Sequence, residues 1–277
     1  MYSREIASVS VLPWNKGGAH PKTQCGRWVR SLDQVADRLY SYISTQHLRV
    51  LLQYMDAKLL QLLKLVTEEY IASAEPVGSQ ALVQRHGLEV SSAPVRKWFS
   101  ALDEAGLLQQ THTSGGRIPT EDGFRLYVEN FITPKSASKK TRDRLVQAAT
   151  LEGDRKIKLV AREVADSLGL AAIVALHEAD TYYTGLSQLF AQPEFRHWQR
   201  VVSMTELLDH LDQTLGSLRR TNFEQPQWFI GKDCPFGPAS SVIVASSPQG
   251  LIGILGPIRM DYQDALSHLI AAIEALS

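Results

Sequence analysis

The sequence predicts an α+β protein in two parts, a winged helix-turn-helix domain followed by a domain of mixed helices and strands. Three observations predict it. Residues 79–127 read as helix, short turn, helix, glycine-tipped hairpin and helix. After Gly169, four apolar runs of strand length fall between helical segments. A polar, basic stretch separates the two parts.

The chain has 277 residues, enough for two separate cores. Residues 1–54 stand apart. Positions 14–21 are irregular and 31–53 have an amphipathic helical pattern, with no apolar core before a small-residue cleavage site and hence no secretory signal. Met55-Asp-Ala-Lys58 opens where the regular pattern begins. Met55 is therefore read as the natural start and residues 1–54 as an extension, either an over-long translation or a basic arm able to touch DNA.

Residues 55–134 are read as the winged-helix domain. In 58–73, Leu59, Leu60, Leu62, Leu63, Val66, Tyr70 and Ile71 recur at helical spacing. Pro76 disfavours helical geometry just before it. Ser79 is expected to cap a short second helix through about His86, with Gly87 as its stop. Ser91 and Ser92 offer a cap for a third helix, with Pro94 in its first turn. Val95, Phe99 and Leu102 are spaced to face inward, which leaves Ser91, Ser92, Arg96, Lys97 and Ser100 outward. In such a motif the first turns of this helix enter the major groove; Arg pairs bidentately with guanine, and Lys and Ser make less specific contacts. Residues 107–112 then have strand character, Ser114-Gly115-Gly116 turns, and Arg117-Ile118-Pro119 returns before Thr120, Asp122 and Gly123 start a further helix. His112, Thr113, Ser114 and Arg117 gather at the tip of this wing, within reach of phosphates or a minor groove. These nine side chains form the candidate DNA-binding set. The plainer alternative is a winged helix that contacts protein, its Arg-Lys pair simply solvated.

Residues 135–162 are read as a basic helical linker with a polar hinge at 136–140. Lys135, Lys139, Lys140, Arg142 and Arg144 either add phosphate contacts or line a solvated helix. Helical patterning covers 141–168 and stops at Gly169. Residues 163–277 are the second domain: a buried strand at 170–176, helices at 185–190 and 205–219, strands at 228–231, 241–245 and 251–255, and a closing helix at 260–276. Arg259, Asp261 and Tyr262 are read as structural, an ion pair and a cap for that last helix.

No catalytic constellation is visible, so the chain is read as no enzyme, with no cofactor and no metal. Gly250, Gly253 and Gly256 lack a following phosphate-binding helix and suit close packing in a strand. Residues 113–117 lack the Lys-Ser/Thr end of a P-loop. The eight histidines contain no HExxH pair, and His177 with Glu178 and Asp180 reads as a surface loop rather than a metal cluster. Cys25 and Cys234 belong to no CxxC pair, which argues against a zinc site or disulfide framework. No apolar run is long enough to span a membrane, so a cytoplasmic location is expected. Formal charge is zero but unevenly spread: residues 1–54 carry +4, 55–134 carry −3, 135–162 carry +6 and 163–277 carry −7. A net-negative winged helix disfavours strong non-specific DNA binding and leaves specific binding open.

Several runs resemble HrcA, the heat-inducible transcription repressor family of bacteria. They are Glu75-Pro-Val-Gly-Ser79, Glu104-Ala-Gly-Leu-Leu108, and His112-Thr-Ser-Gly-Gly-Arg-Ile-Pro-Thr120 followed by Gly123-Phe-Arg-Leu-Tyr-Val128. Tyr182-Tyr-Thr-Gly-Leu-Ser-Gln-Leu-Phe190 with Pro193-Glu-Phe195 is similar to the family's middle signature, and Gly253-Ile-Leu-Gly-Pro-Ile-Arg-Met-Asp-Tyr262 to its C-terminal one. The resemblance implies a GAF-like fold for residues 163–277. It also implies repression of chaperone genes through an inverted-repeat, CIRCE-type DNA operator, with release on heat stress. It further implies a homodimer with two recognition helices a helical turn or more apart, dependence on the GroE chaperonin, no membrane partner, and nucleoid association when bound to DNA. Two departures stand out. The family's Ala-Thr-Ile-Arg-Asn is Ala93-Pro-Val-Arg-Lys97 here, so an adenine-reading amide is replaced. The stretch between Tyr127 and Tyr182 is also shorter than the family's, where a dimerisation domain is inserted. The alternative reading is a ligand-sensing winged-helix regulator with a small-molecule site in the C-terminal domain.

Overall fold

Helix α1 (Ala57–Ser73) starts where the Asp56 side chain accepts the Lys58 N–H at 3.1 Å. It buries Leu62, Leu63, Val66 and Thr67, whose hydroxyl donates to the Leu63 carbonyl at 2.8 Å. It ends at Ala74, which takes the left-handed conformation at φ 58 and donates its N–H to the Tyr70 carbonyl. Helix α2 (Ser79–His86) has Gly78 as its cap, so Ser79 is its first helical residue rather than the expected cap. The reason lies one residue earlier: Val77 exchanges two 2.9 Å backbone bonds with Arg117, which leaves Gly78 extended at the helix entry. Gly87, left-handed at φ 58, ends α2 as expected. Helix α3 (Ser92–Glu104) follows Ser91 and buries Val95, Phe99 and Leu102. Strands β1 (Leu108–Gln110) and β2 (Arg117–Pro119) pair antiparallel, and Thr120 caps α4 (Glu121–Phe131) by accepting the Gly123 N–H at 3.1 Å.

The computed structural model describes residues 56–111, 115–177, 180–195, 211–221 and 223–277. The readings made for residues 1–55, with Cys25 and the 31–53 pattern, lie outside these, as do those for His112, Thr113, Ser114, Glu178 and the 205–210 portion of a helix.

The region expected as one helix over 141–168 is two, α5 (Lys139–Ala148) and α6 (Asp154–Leu168), separated at Gly153 with φ 64. The expected linker over 135–162 is also part of a core. Leu145, Ile157 and Val160 are fully buried, and the boundary at 162 falls within α6, because that helix lays one apolar face on the sheet. The sheet holds β3 (Ala171–His177), β4 (Asp180–Thr184), β5 (Gln227–Ile230), β6 (Ser240–Ser247) and β7 (Gly250–Pro257), all neighbours antiparallel, in the order β4-β3-β7-β6-β5. This is the GAF-like α+β arrangement expected. Strand β4 was not anticipated: its polar, non-alternating residues are drafted by β3, with Val174 opposite Tyr182. Helices α7 (Leu186–Phe190), α8 (Leu211–Arg219) and α9 (Tyr262–Leu276) complete the domain.

Period-two alternation sends neighbouring sheet residues to two cores. Ala172, Val174, Ile243, Ile252 and Ile254 meet α6 and α9, whereas Ile173, Val242, Val244 and Leu255 meet Leu189, Phe195, Leu215 and Phe236. Gly253 is needed between them: a Cβ there would lie 2.9 Å from Val244 Cγ1. The first core continues into the winged part through Phe124, Tyr127 and Val128 of α4. Tyr70, Phe124, Tyr262 and Trp228 form a chain of rings with centroids 6.2, 6.0 and 5.2 Å apart. The described residues from 56 onward accordingly belong to one compact unit. As expected, the Asp261 side chain caps α9 and Arg259 forms an ion pair, with Glu194. Burial pushes the Cys234 thiol up to about 12, which leaves it inert. Among the described residues no helix is long and apolar enough to cross a membrane, and no group of His, Cys, Asp and Glu could hold a metal.

Candidate nucleic-acid interface

Leu82 of α2 and Val95, Phe99 and Leu102 of α3 are buried together, which turns the opposite side of α3 outward. Ser91, Arg96, Lys97 and Ser100 are exposed and Ser92 is half-buried; Ser92, Arg96 and Ser100, four residues apart, stack along one side of α3. Ser100 donates to the Arg96 carbonyl at 3.2 Å. Neither Arg96 nor Lys97 forms an ion pair with another described residue. Behind this face, Glu69 of α1 pairs with Arg85 and His86, which clamps the end of α2.

Arg117 ends the strand pair on the loop side, opposite Gln110. Its side chain is not free at the tip: it is 15% exposed and donates from Nε to Asp103 Oδ2 at 2.7 Å. With the Val77 bridge, this ties the wing to α3 and to the entry of α2 at once. Gly116 allows the approach, since a Cβ there would lie 2.6 Å from the Val77 carbonyl carbon.

The result is a cleft of about 510 Å³ between α3, the start of α2 and the wing. Ser92, Arg96, Ser100 and Arg117 of the expected set line it. Ser79, Gln80 and Gln110 line it as well, and sequence reasoning missed them. Their nearness follows from the Val77–Arg117 bridge, for which no local pattern exists; two amides among polar neighbours were the only hint. The basic residues Lys135, Lys139, Lys140, Arg142 and Arg144 are exposed, but Arg144 is engaged by Glu163 at 3.1 Å and Arg142 donates to the Ala137 carbonyl.

A recognition-type helix, a wing and an antiparallel α+β domain define a winged-helix protein of regulatory architecture. The chain belongs to the HrcA family: the model for the HrcA protein C terminal domain matches residues 127–266. It is similar to the heat-inducible transcription repressor HrcA of a Nocardioides species, 47% identical over 94 residues, 34% of this chain and 27% of that one. The namesake from Geobacter sulfurreducens is 37% identical over 138 residues, 49% of this chain and 37% of that one. The matched segments thus span about a third of those relatives' lengths. A solved structure described as "Crystal structure of a hypothetical protein at 2.2 A resolution" superposes with a TM-score of 0.65 over 82% of this chain and 97% of its own, at 16% identity, a likeness of fold.

Proposed function

We propose that this protein is a transcription repressor of chaperone genes that binds an inverted-repeat operator as a homodimer and lets go on heat stress. The observation that carries the reading is the exposed face of α3 with Arg96 beside a wing-bounded cleft, in a chain of the HrcA family. Arg96 supplies the guanine-reading fork, and Ser92, Ser100 and Lys97 add backbone and base contacts. His112, Thr113 and Ser114, between β1 and β2 in sequence, belong to the same proposed set. Two-fold operators call for two such heads, hence the dimer. Dependence on the GroE chaperonin and a cytoplasmic, nucleoid-associated location belong to the same reading. The rival reading, a ligand sensor, is disfavoured by side chains fully buried on both faces of the sheet. Titration of the chain at fixed salt against a chaperone-promoter inverted repeat and a scrambled duplex tests the proposal. Selectivity of about a thousandfold, abolished by heating, is expected; equal affinity for both duplexes would sink it.

A further inference from the structure

Among the described residues, three polar attachments join the winged part to the sheet part. Arg259, between β7 and α9, pairs with Glu194, donates to Gln192 Oε1 at 3.2 Å and reaches the Ile71 carbonyl of α1, also at 3.2 Å. Arg259 and Glu194 are both largely buried, with side chains 13% and 12% exposed. Arg125 of α4 reaches the other way. It bonds Asp122 on its own helix, then the carbonyl of Ile230 at the end of β5 and Asp233 Oδ2 just after it, both at 2.8 Å. Its helix neighbour Glu121 accepts the Lys232 N–H at 3.1 Å. Finally, Gln263 of α9 donates to the Thr133 carbonyl at 2.8 Å and accepts its N–H at 3.4 Å, so the segment after α4 is held as well.

A single exposed ion pair swivels and contributes little. A planar guanidinium bonded to three partners at once, with little solvent access, defines an orientation. Two such forks, one reaching α1 and the other projecting from α4, hold the winged part at two separate points. We propose that Arg125 and Arg259 are positioning residues for operator choice. They fix the winged helix on the C-terminal part and so, in the homodimer proposed above, set the half-site spacing that it accepts. This rests on the operator-binding reading above. Each base pair inserted between half-sites moves the second by about 3.4 Å and turns it by about 34°. Rigid heads accept one spacing; heads on loose joints accept several.

The test compares the unaltered protein with Arg259→Lys and Arg125→Lys, which keep the charge and lose the fork. The duplexes are the inverted repeat, the same repeat with one or two base pairs inserted, and a single half-site. The unaltered protein is expected to lose about tenfold or more in affinity per inserted pair, and the variants less than about threefold, with half-site binding unchanged. A steep spacing profile in the variants overturns the proposal, and so does an equal loss on half-site and full site, which marks a merely structural role. Should Arg259→Lys fail to fold, Glu194→Gln preserves shape while removing the paired charge and gives the same comparison. If the unaltered protein shows no preference for the inverted repeat, the operator reading itself fails.

Discussion

Arg96 and Arg117 show how differently two arginines of one domain are used. Arg96 projects from the exposed face of α3, so Arg96→Ala is expected to weaken operator binding by about 1–3 kcal/mol with the melting temperature unchanged. Unchanged affinity would remove Arg96 from the interface. Arg117 is held by Asp103, and Arg117→Ala leaves that carboxylate half-buried without its partner. The expected cost is about 1–3 kcal/mol in denaturant unfolding, with operator and random duplexes losing affinity alike. A loss confined to the operator would make Arg117 a base reader instead. Its outward role was read from position in a hairpin, and the Asp103 contact lies 14 residues back in the chain, beyond any local pattern.

At the scale of elements, the wing depends on a close backbone approach and α9 on a charged pair. Gly116→Ala would drive a methyl to within 2.7 Å of the Pro76 carbonyl carbon, so the wing must detach from the α2 entry. A stability loss of about 1–3 kcal/mol is expected by calorimetry, and a neutral result would mean that this contact yields freely. In α9, burial alone would lower the His268 imidazole, yet hydrogen bonds to the Asp264 carboxylate and carbonyl, with that carboxylate's charge, raise it above its ordinary value. Asp264 is held down by the bond from His268. The His contribution is complete below about pH 6.5 and fades as pH rises through the raised value; the Asp contribution fades as pH falls through the lowered one. His268→Gln should therefore flatten the decline in stability above pH 6.5 by about 0.3–0.5 kcal/mol, the size of an exposed i,i+4 pair, since the Asp264 side chain is 55% exposed. An unchanged pH profile would exclude the pair as its source.

At the scale of the molecule, the shared core is the main consequence. Phe124 of the winged part touches both Tyr70 and Tyr262, so neither part can open without exposing the other. Residues 56–277 are expected to unfold in one cooperative transition, and Phe124→Ala to lower it by about 3–5 kcal/mol while keeping it single. Two separate calorimetric transitions would show that the parts unfold independently.

Helix α3, its inward triad of Val95, Phe99 and Leu102, the wing hairpin and four of the five sheet strands were legible in the sequence. Period-3.6 and period-two burial, glycine stops and proline placement act over a few residues and leave local marks. Strand β4 was not legible, because partner hydrogen bonds rather than its own side chains hold it extended. The apolar positions Leu145, Ile157 and Val160 are legible at helical spacing, but the basic, solvent-facing residues around them read as a linker and gave no sign of the core they enter. The cleft and the domain junction were decided by tertiary structure alone. Val77 meets Arg117, and Arg259 meets Ile71 across 188 positions, because packing of distant apolar faces brings their backbones together. The polar groups have these partners only in the packed molecule, and the sequence by itself carries no period for such encounters.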